Sequence, residues 1–337
     1  MVILITGGTG YIGIHTALAY IDAGHDVILV DNLLNSSINA LYRLREYTGK
    51  NISFYQIDMN YIKDFEKVFK ENKIDIVIHC AGFKAVGESW EKPLYYYDNN
   101  LVIFINTLKL MRKYNVRNII FSSSATVYSE DNIMPLVEES RLQTVSPYGN
   151  IKLISENILE DIFKSDKSIN SIILRYFNPI GAHHSKKFGE DPKGIPNNLV
   201  PYITQVLIGK REYLNIFGND YNTEDGTCIR DYIHVEDLAS AHLYVLKLFQ
   251  DNHSIYKVYN VGTGTGRSVM EVVNSFIKVT GKNLPYKIVN RRDGDIPACY
   301  ADSSLIQKET DWKPVYSLDD MCLTAWQWQK ENPNGYE

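Results

Sequence analysis

The sequence predicts an α/β fold, a doubly wound parallel sheet joined to a smaller C-terminal α/β lobe, and three observations predict it. Short β-branched runs alternate with helical patterns through the first half of the chain, as a parallel sheet with crossover helices requires. A glycine-rich turn directly follows the first of these runs. Beyond Asn178 the alternation breaks into a loop-rich stretch holding His183-His184, Gly189 to Gly194 and Pro196-Asn197-Asn198, which reads as a lobe inserted for a ligand.

The strands run in order from Val2 to Thr6, Asp26 to Val30, Ile52 to Ile57, Ile74 to His79, Arg117 to Ser122 and Ser171 to Tyr176. Helical stretches lie between them near 11–23, 38–47, 61–72, 94–115 and 148–165, completing the doubly wound pattern. The boundary between lobes falls near Asn178, giving 1–178 and 179–337. Lys257 to Val261 reads as a strand that returns to the first sheet, so the lobes need not be sequential blocks.

Composition narrows the partners. The 337 residues are 45% hydrophobic and 22% charged, enough for a large core, and the formal charge of −5 argues against nucleic acid and anionic membrane. Cys80, Cys228, Cys299 and Cys322 stand far apart without a paired framework, which fits free thiols in a reducing cytoplasm. The apolar start, Met1 to Ile5, is too short for a signal segment, and no run approaches the roughly 20 apolar residues of a membrane span. The triplets at Asn35, Asn51 and Asn252 match a glycosylation pattern but read as ordinary surface sequence.

The turn after the first strand is TGGTGYIG, Thr6 to Gly13, with glycines at 7, 10 and 13. Glycine lets the backbone turn tightly and approach a pyrophosphate, whose charge then rests on unpaired amides at the helix start. Asp31 ends the second strand eighteen residues after Gly13, where a carboxylate can accept hydrogen bonds from adenosine ribose hydroxyls. No Lys or Arg occurs between Asp31 and Arg43 to neutralise a 2′-phosphate, so NAD is favoured over NADP. Asp58, after the third strand, is either an adenine contact or a turn-former.

Ser122-Ser123-Ser124 follows the strand Asn118 to Phe121, and Tyr148 and Lys152 open the next helical stretch four residues apart. That spacing puts both side chains on one helix face. Bringing a phenol from about 10 to neutrality takes roughly 4 kcal/mol. An ammonium 4–6 Å away at an effective dielectric of about 20 supplies roughly 3–4 kcal/mol. Ser124 would hold a substrate hydroxyl in line. A Tyr-x-x-x-Lys spacing means little alone among 24 tyrosines; following a nucleotide loop and a strand-end serine, it points to hydride chemistry.

These residues, with Asn99-Asn100 and Arg175 to Pro179, resemble the extended short-chain dehydrogenase/reductase family that acts on nucleotide sugars, within its NAD-dependent epimerase branch. The resemblance runs nearly end to end through HCAGFKAVGESWEKPLYYYDNN, FSSSATVYS, GEDPKGIPNNLVPYI, IFGNDYNTEDGTCIRDYIHVEDLA and RRDGDIPACYAD. It implies a Rossmann-type NAD-binding domain and a UDP-sugar lobe. It also implies inversion of the 4-hydroxyl of a UDP-hexose, between UDP-glucose and UDP-galactose, through a 4-keto sugar that turns about its diphosphate. Tyr148, Lys152 and Ser124 would be the catalytic residues. Besides Gly7, Gly10, Gly13, Asp31 and Asp58, the family pattern places Tyr11, Ile12, Asn32, Asn35, Ser36, Met59, Cys80, Ala81, Gly82, Lys84, Asn99, Ser122 and Phe177 against NAD. It places Asn178, Asn198, Leu199, Asn215, Ile216, Phe217, Arg230, Arg291 and Asp295 against the UDP-sugar, the arginines pairing with phosphate. Without the resemblance those arginines could be surface charge and Asn198 a helix cap. Cys299 looks like the family's gate beside the sugar's 2-substituent, where a small side chain leaves room for an N-acetyl group. The resemblance further implies a homodimer and a place in galactose metabolism and UDP-sugar supply.

Ser129 stands where the family usually has glycine. A 4,6-dehydratase is the nearest rival, but it needs an acid pair after the strand-end serine, and here Ala125-Thr126 follow Ser124. A decarboxylase would need a dedicated base for a uronic carboxylate. A non-catalytic NAD sensor has no use for Ser124, Tyr148 and Lys152 together, and nothing suggests a structural or interaction protein. His183 and His184 are adjacent and lack a ligand set, so no metal site is expected.

Overall fold

The computed structural model describes residues 1–251, 254–292 and 294–337. Asn252 and His253 of the third glycosylation-type triplet, and Asp293 of RRDGDIPACYAD, lie outside the described residues. In chain order the first elements are β1 (Val2–Thr6), α1 (Tyr11–Asp22), β2 (Asp26–Asp31), α2 (Ile38–Thr48), β3 (Ser53–Gln56), α3 (Ile62–Glu71) and β4 (Ile76–His79). There follow α4 (Val86–Glu91), α5 (Pro93–Lys113), β5 (Asn118–Ser124), α6 (Pro147–Ser165), β6 (Asn170–Tyr176) and β7 (Asn178–Ile180). The remainder are α7 (Leu199–Leu207), β8 (Leu214–Phe217), β9 (Ile229–His234), α8 (Val235–Tyr244), α9 (Leu246–Asp251), β10 (Tyr256–Val261), β11 (Gly266–Ser268), α10 (Val269–Thr280), β12 (Tyr286–Val289), β13 (Ala298–Cys299), α11 (Ser304–Thr310) and α12 (Leu318–Glu331).

The chain forms two compact units that alternate along the sequence. The first comprises Met1–Ser129, Ser140–Arg175 and Ala239–Tyr259; the second comprises Glu130–Glu139, Tyr176–Leu238 and Asn260–Glu337. A single cut at 178 therefore differs from this division at three segments, 130–139, 176–178 and 239–259. The reason is strand pairing, because the later β10 takes the sheet edge beside β6 and draws its preceding helices with it.

The large sheet runs β10-β6-β5-β4-β1-β2-β3, and the pairs β3/β2, β2/β1, β1/β4 and β4/β5 are parallel. The strand order reverses between β1 and β4, so the turns leaving these neighbours diverge and open a crevice at their carboxyl ends. Leu4, Val30, Val77, Phe104, Ile119 and Ile173 belong to the core that seats helices on this sheet. The predicted helix near 94–115 is preceded by the separate α4, and α5 starts with Pro93 in its first turn, where a missing N–H costs nothing. β5 runs on to Ser124, two residues past its predicted end.

In the second unit, β9 pairs with β7, β11 and β13, while β8 and β12 form a separate parallel pair. Helices α10 and α12 begin with reciprocal capping boxes, Ser268/Glu271 and Ser317/Asp320. They pack Val273, Phe276, Cys322 and Trp326 with Ile203 and Ile216 into this unit's core.

Candidate active site

The glycine loop departs from the carboxyl end of β1. Gly7 sits at φ +65°, and a side chain there would meet the Ala81 backbone at 2.9 Å. A Cβ on Gly13 would lie 2.2 Å from the Gly7 carbonyl, so the first turn of α1 can pack this closely only with glycine. Gly10 occupies the N-cap of α1, no side chain caps that end, and no acidic residue lies in its first turn. Tyr11 and Ile12 begin the helix half-buried. The positive dipole end of this helix, uncapped by any side chain, suits a pyrophosphate.

Asp31, at the end of β2, is tied to this loop. Its carboxylate accepts from the Thr9 amide (3.2 Å), the Leu33 amide (2.9 Å) and the Ser36 hydroxyl (2.8 Å). Asn32 and Asn35 are exposed nearby in sequence. Asp58 accepts twice from Asn60, whose amide also donates to Asn99 at 3.0 Å; Asn99 in turn donates to Asn100, which holds the Phe83 backbone. The structure thus joins two predicted contacts, Asp58 and Asn99, that lie far apart in sequence. Met59 is buried behind them, its carbonyl held by Asn106. After β4, Cys80 receives a hydrogen bond from Ser122 (3.2 Å) and burial pushes its thiol up to about 11. Ala81 donates to Thr6, Gly82 takes φ +140°, and Lys84 is exposed. A close-approach glycine cradle, an uncapped helix start and a carboxylate at a strand end together fit the diphosphate and ribose of NAD.

Tyr148 and Lys152 stand on the first two turns of α6, which begins with a Ser146 cap and Pro147. The Tyr148 amide donates to Ser89 (3.3 Å), and a Cβ on Gly149 would strike the Thr126 carbonyl at 2.7 Å. These contacts press the helix start against α4 and the turn after β5. The Ser124 hydroxyl accepts from the Thr126 amide (3.2 Å) and hydroxyl (3.0 Å). The Lys152 ammonium lies 5.7 Å from the Tyr148 ring centroid and donates to the Ser122 carbonyl at 2.7 Å. Its predicted neighbourhood is therefore present. Burial pushes Tyr148 up to about 12, partly offset by Ser124, and brings Lys152 down to about 8, opposed by Cys80 and Glu156. Desolvation is the largest influence on both groups in this buried site.

Sequence reasoning missed the support beneath this pair. Glu156, one turn beyond Lys152, binds Arg175 of β6 at 2.7–3.3 Å and also accepts from Ser123 of β5. Arg175 reaches on to the Tyr128 hydroxyl at 2.9 Å. The i, i+4 spacing from Lys152 was the one available signal, but it could not reveal a buried partner on another strand.

In the second unit, Phe177 is buried and Asn178 exposed at the start of β7. Asn198 occupies the N-cap of α7 without capping it; its amide donates to Glu190 at 2.8 Å, and half-buried Leu199 opens the helix. Asn215, Ile216 and Phe217 lie on β8 opposite Lys287, Ile288 and Val289. Cys299 pairs in register with Arg230. The Arg230 guanidinium donates to the Ile229 and Ile296 carbonyls and stands 3.6 Å from Asp295. Arg291 is separate from that group, because its guanidinium binds exposed Asp220 and covers Tyr221; it is Arg292 that joins Asp295. Burial raises the Cys299 thiol to about 11, leaving it neutral. Asp231, next to Arg230 and unremarked in the sequence, is fully buried and accepts from Thr263, Gly264 and Ala301, fixing the segments around β9.

This fold and these side chains define a dinucleotide-dependent enzyme of the short-chain dehydrogenase type. Residues 3–262 match the NAD dependent epimerase/dehydratase family, and the chain belongs to it. It is 50% identical over 334 residues to the UDP-glucose 4-epimerase of Dictyostelium discoideum, covering 99% of this chain and 97% of that protein. It is 49% identical over 337 residues to that of Bacillus subtilis (strain 168), covering 100% and 99%. Among solved structures, UDP-glucose 4-epimerase from Bifidobacterium longum, in complex with NAD+ and UDP, superposes with a TM-score of 0.95 at 49% identity, covering 99% of this chain and all of that one.

Proposed function

We propose that this protein interconverts UDP-glucose and UDP-galactose by inverting the hexose 4-hydroxyl. The observation that carries the reading is the seating of Tyr148 and Lys152 on α6 beside Ser124 at the end of β5, in a chain about half identical to named UDP-glucose 4-epimerases along its whole length. NAD supplies the acceptor from which the carbon 4 hydride is returned. Ser124 holds the 4-hydroxyl through its Oγ, and Tyr148, ionised beside the Lys152 ammonium and the positive ring of bound NAD, takes that hydroxyl's proton on its phenolate oxygen and later gives it back. Lys152, pinned to the Ser122 carbonyl, keeps a positive charge beside the ring. Gly7, Gly10, Gly13 and Asp31 hold the dinucleotide, with the remaining first-unit contacts predicted above around it. The second unit supplies Arg230, and Arg291 on release from Asp220, for the diphosphate, and Asn178, Asn198, Leu199, Asn215 to Phe217 and Asp295 for the nucleoside and sugar, while Phe177 faces the dinucleotide. A firm grip on UDP and a loose one on the hexose is what lets a 4-keto sugar present either face.

Ala125 and Thr126, in the turn after Ser124, offer no acid or base for a dehydratase. Incubation with UDP-galactose and no added cofactor is expected to yield UDP-glucose, and Tyr148→Phe to slow this by about 10²- to 10⁴-fold. A keto sugar as the final product, or full activity in Tyr148→Phe, would overturn the assignment.

Two extensions rest on the same reading. The half-buried Cys299, small and uncharged, supports acceptance of UDP-N-acetylglucosamine and UDP-N-acetylgalactosamine. The family resemblance supports a homodimer, and four free cysteines support residence in a reducing cytoplasm. Among the described residues no helix is long and apolar enough to cross a membrane.

A further inference from the structure

The segment after β7 in the second unit brings two adjacent histidines to the start of α8. His183 Nε2 lies 3.4 Å and His184 Nδ1 2.8 Å from the same oxygen, Glu236 Oε1. The three ligand atoms all fall within 4.8 Å of one another, and the imidazole centroids are 4.1 Å apart. We propose that His183, His184 and Glu236 form a binding site for a divalent transition cation of the zinc class.

The donor chemistry fits, since two imidazoles and a carboxylate make a three-ligand zinc set that leaves a fourth position for water. The dimensions fit as well. Tetrahedral zinc with ligands near 2.0–2.1 Å separates neighbouring donors by about 3.3 Å. The two nitrogen-to-oxygen separations, 2.8 and 3.4 Å, lie near that spacing, and the two imidazole nitrogens, within 4.8 Å of each other, would close toward it on a bound cation.

Outer contacts already aim the ligands. Ser185 holds His183 Nδ1 through its hydroxyl at 2.7 Å and its amide, which donates to that nitrogen at 3.2 Å, so the ring is fixed with Nε2 toward Glu236 and a cation binding there displaces the Nε2 proton. The Tyr316 hydroxyl donates to Glu236 Oε2 at 2.9 Å, leaving Oε1 turned toward the imidazoles. Phe188 meets the His183 ring edge-on. His183 is buried, whereas the His184 side chain is 64% exposed and provides the route by which an ion and its water enter. The competing arrangement is a carboxylate shared by two hydrogen-bonded neutral imidazoles with no affinity for metal. Adjacent histidines alone suggested no site, because the third ligand comes from 52 residues further along the chain.

Equilibrium dialysis of the purified protein against buffered Zn²⁺, followed by elemental analysis, tests this. The wild type is expected to hold one zinc per chain beyond the amount held by His184→Ala, whose exposed position makes the substitution structurally mild. Its affinity should exceed that of His184→Ala by at least about tenfold, and Tyr316→Phe should weaken binding about 10- to 100-fold by freeing the carboxylate. Zinc should raise Tm in the wild type and not in His184→Ala. Equal zinc content and affinity in wild type and His184→Ala would overturn the proposal and assign any bound zinc to other groups, such as the free thiols.

Discussion

Glu156 and Arg175 form a two-pronged ion pair with side chains only 3% and 4% exposed. The same carboxylate takes the Ser123 hydroxyl, so α6, β5 and β6 meet at one group directly behind Tyr148 and Lys152.

Removing one half of such a pair strands a buried charge. Glu156→Ala is expected to lower stability by about 3–5 kcal/mol in urea unfolding. The Glu156→Ala/Arg175→Met double variant should recover part of that loss. At temperatures where the single variant stays folded, kcat should fall more than KM rises, because the helix start carrying Tyr148 is released. Unchanged stability in Glu156→Ala would show that the pair does not hold α6 in place.

Lys152 should set the alkaline limit of the reaction. Burial brings its ammonium down to about 8, so its charge is present below that pH and lost above it. kcat/KM is therefore expected to fall as pH rises through about 8, and Lys152→Arg should move that limb upward. For stability the sign is opposite. The unfolded chain binds this proton up to about 10.4, so this one group adds stability as pH rises from about 8 toward that value. A flat profile to pH 9.5 would remove Lys152 from the role.

Gly13→Ala should abolish dinucleotide retention, since its Cβ would fall 2.2 Å from the Gly7 carbonyl. The check is the NAD released on denaturing purified wild type and variant. Equal amounts would place the pyrophosphate elsewhere.

Cys299→Tyr is expected to reduce activity on UDP-N-acetylgalactosamine at least tenfold relative to UDP-galactose, measured with both substrates on the same preparation. The gate assignment fails if the ratio stays constant.

The parallel strands, the glycine turn and Asp31 were legible because each is a local pattern: β-branched runs, a fixed glycine spacing, a carboxylate at a strand end. Tyr148 and Lys152 were legible as a pair for the same reason, four residues being one helical turn. The Asp58–Asn60–Asn99 ladder was not, since its members belong to different segments that only the packed sheet brings together. The role of Asp231 was hidden likewise, because its partners at Thr263, Gly264 and Ala301 approach it from later in the chain.

By itself, the sequence determined the α/β class, the nucleotide loop and which side chains could carry the chemistry, all of which depend on spacings of a few residues. Tertiary structure decided that 239–259 joins the first unit, that burial raises Tyr148 and lowers Lys152, that Arg291 binds Asp220, and that Glu236 completes a cluster with His183 and His184. Burial and long-range partners are set by how distant segments pack, and no local pattern contains that information.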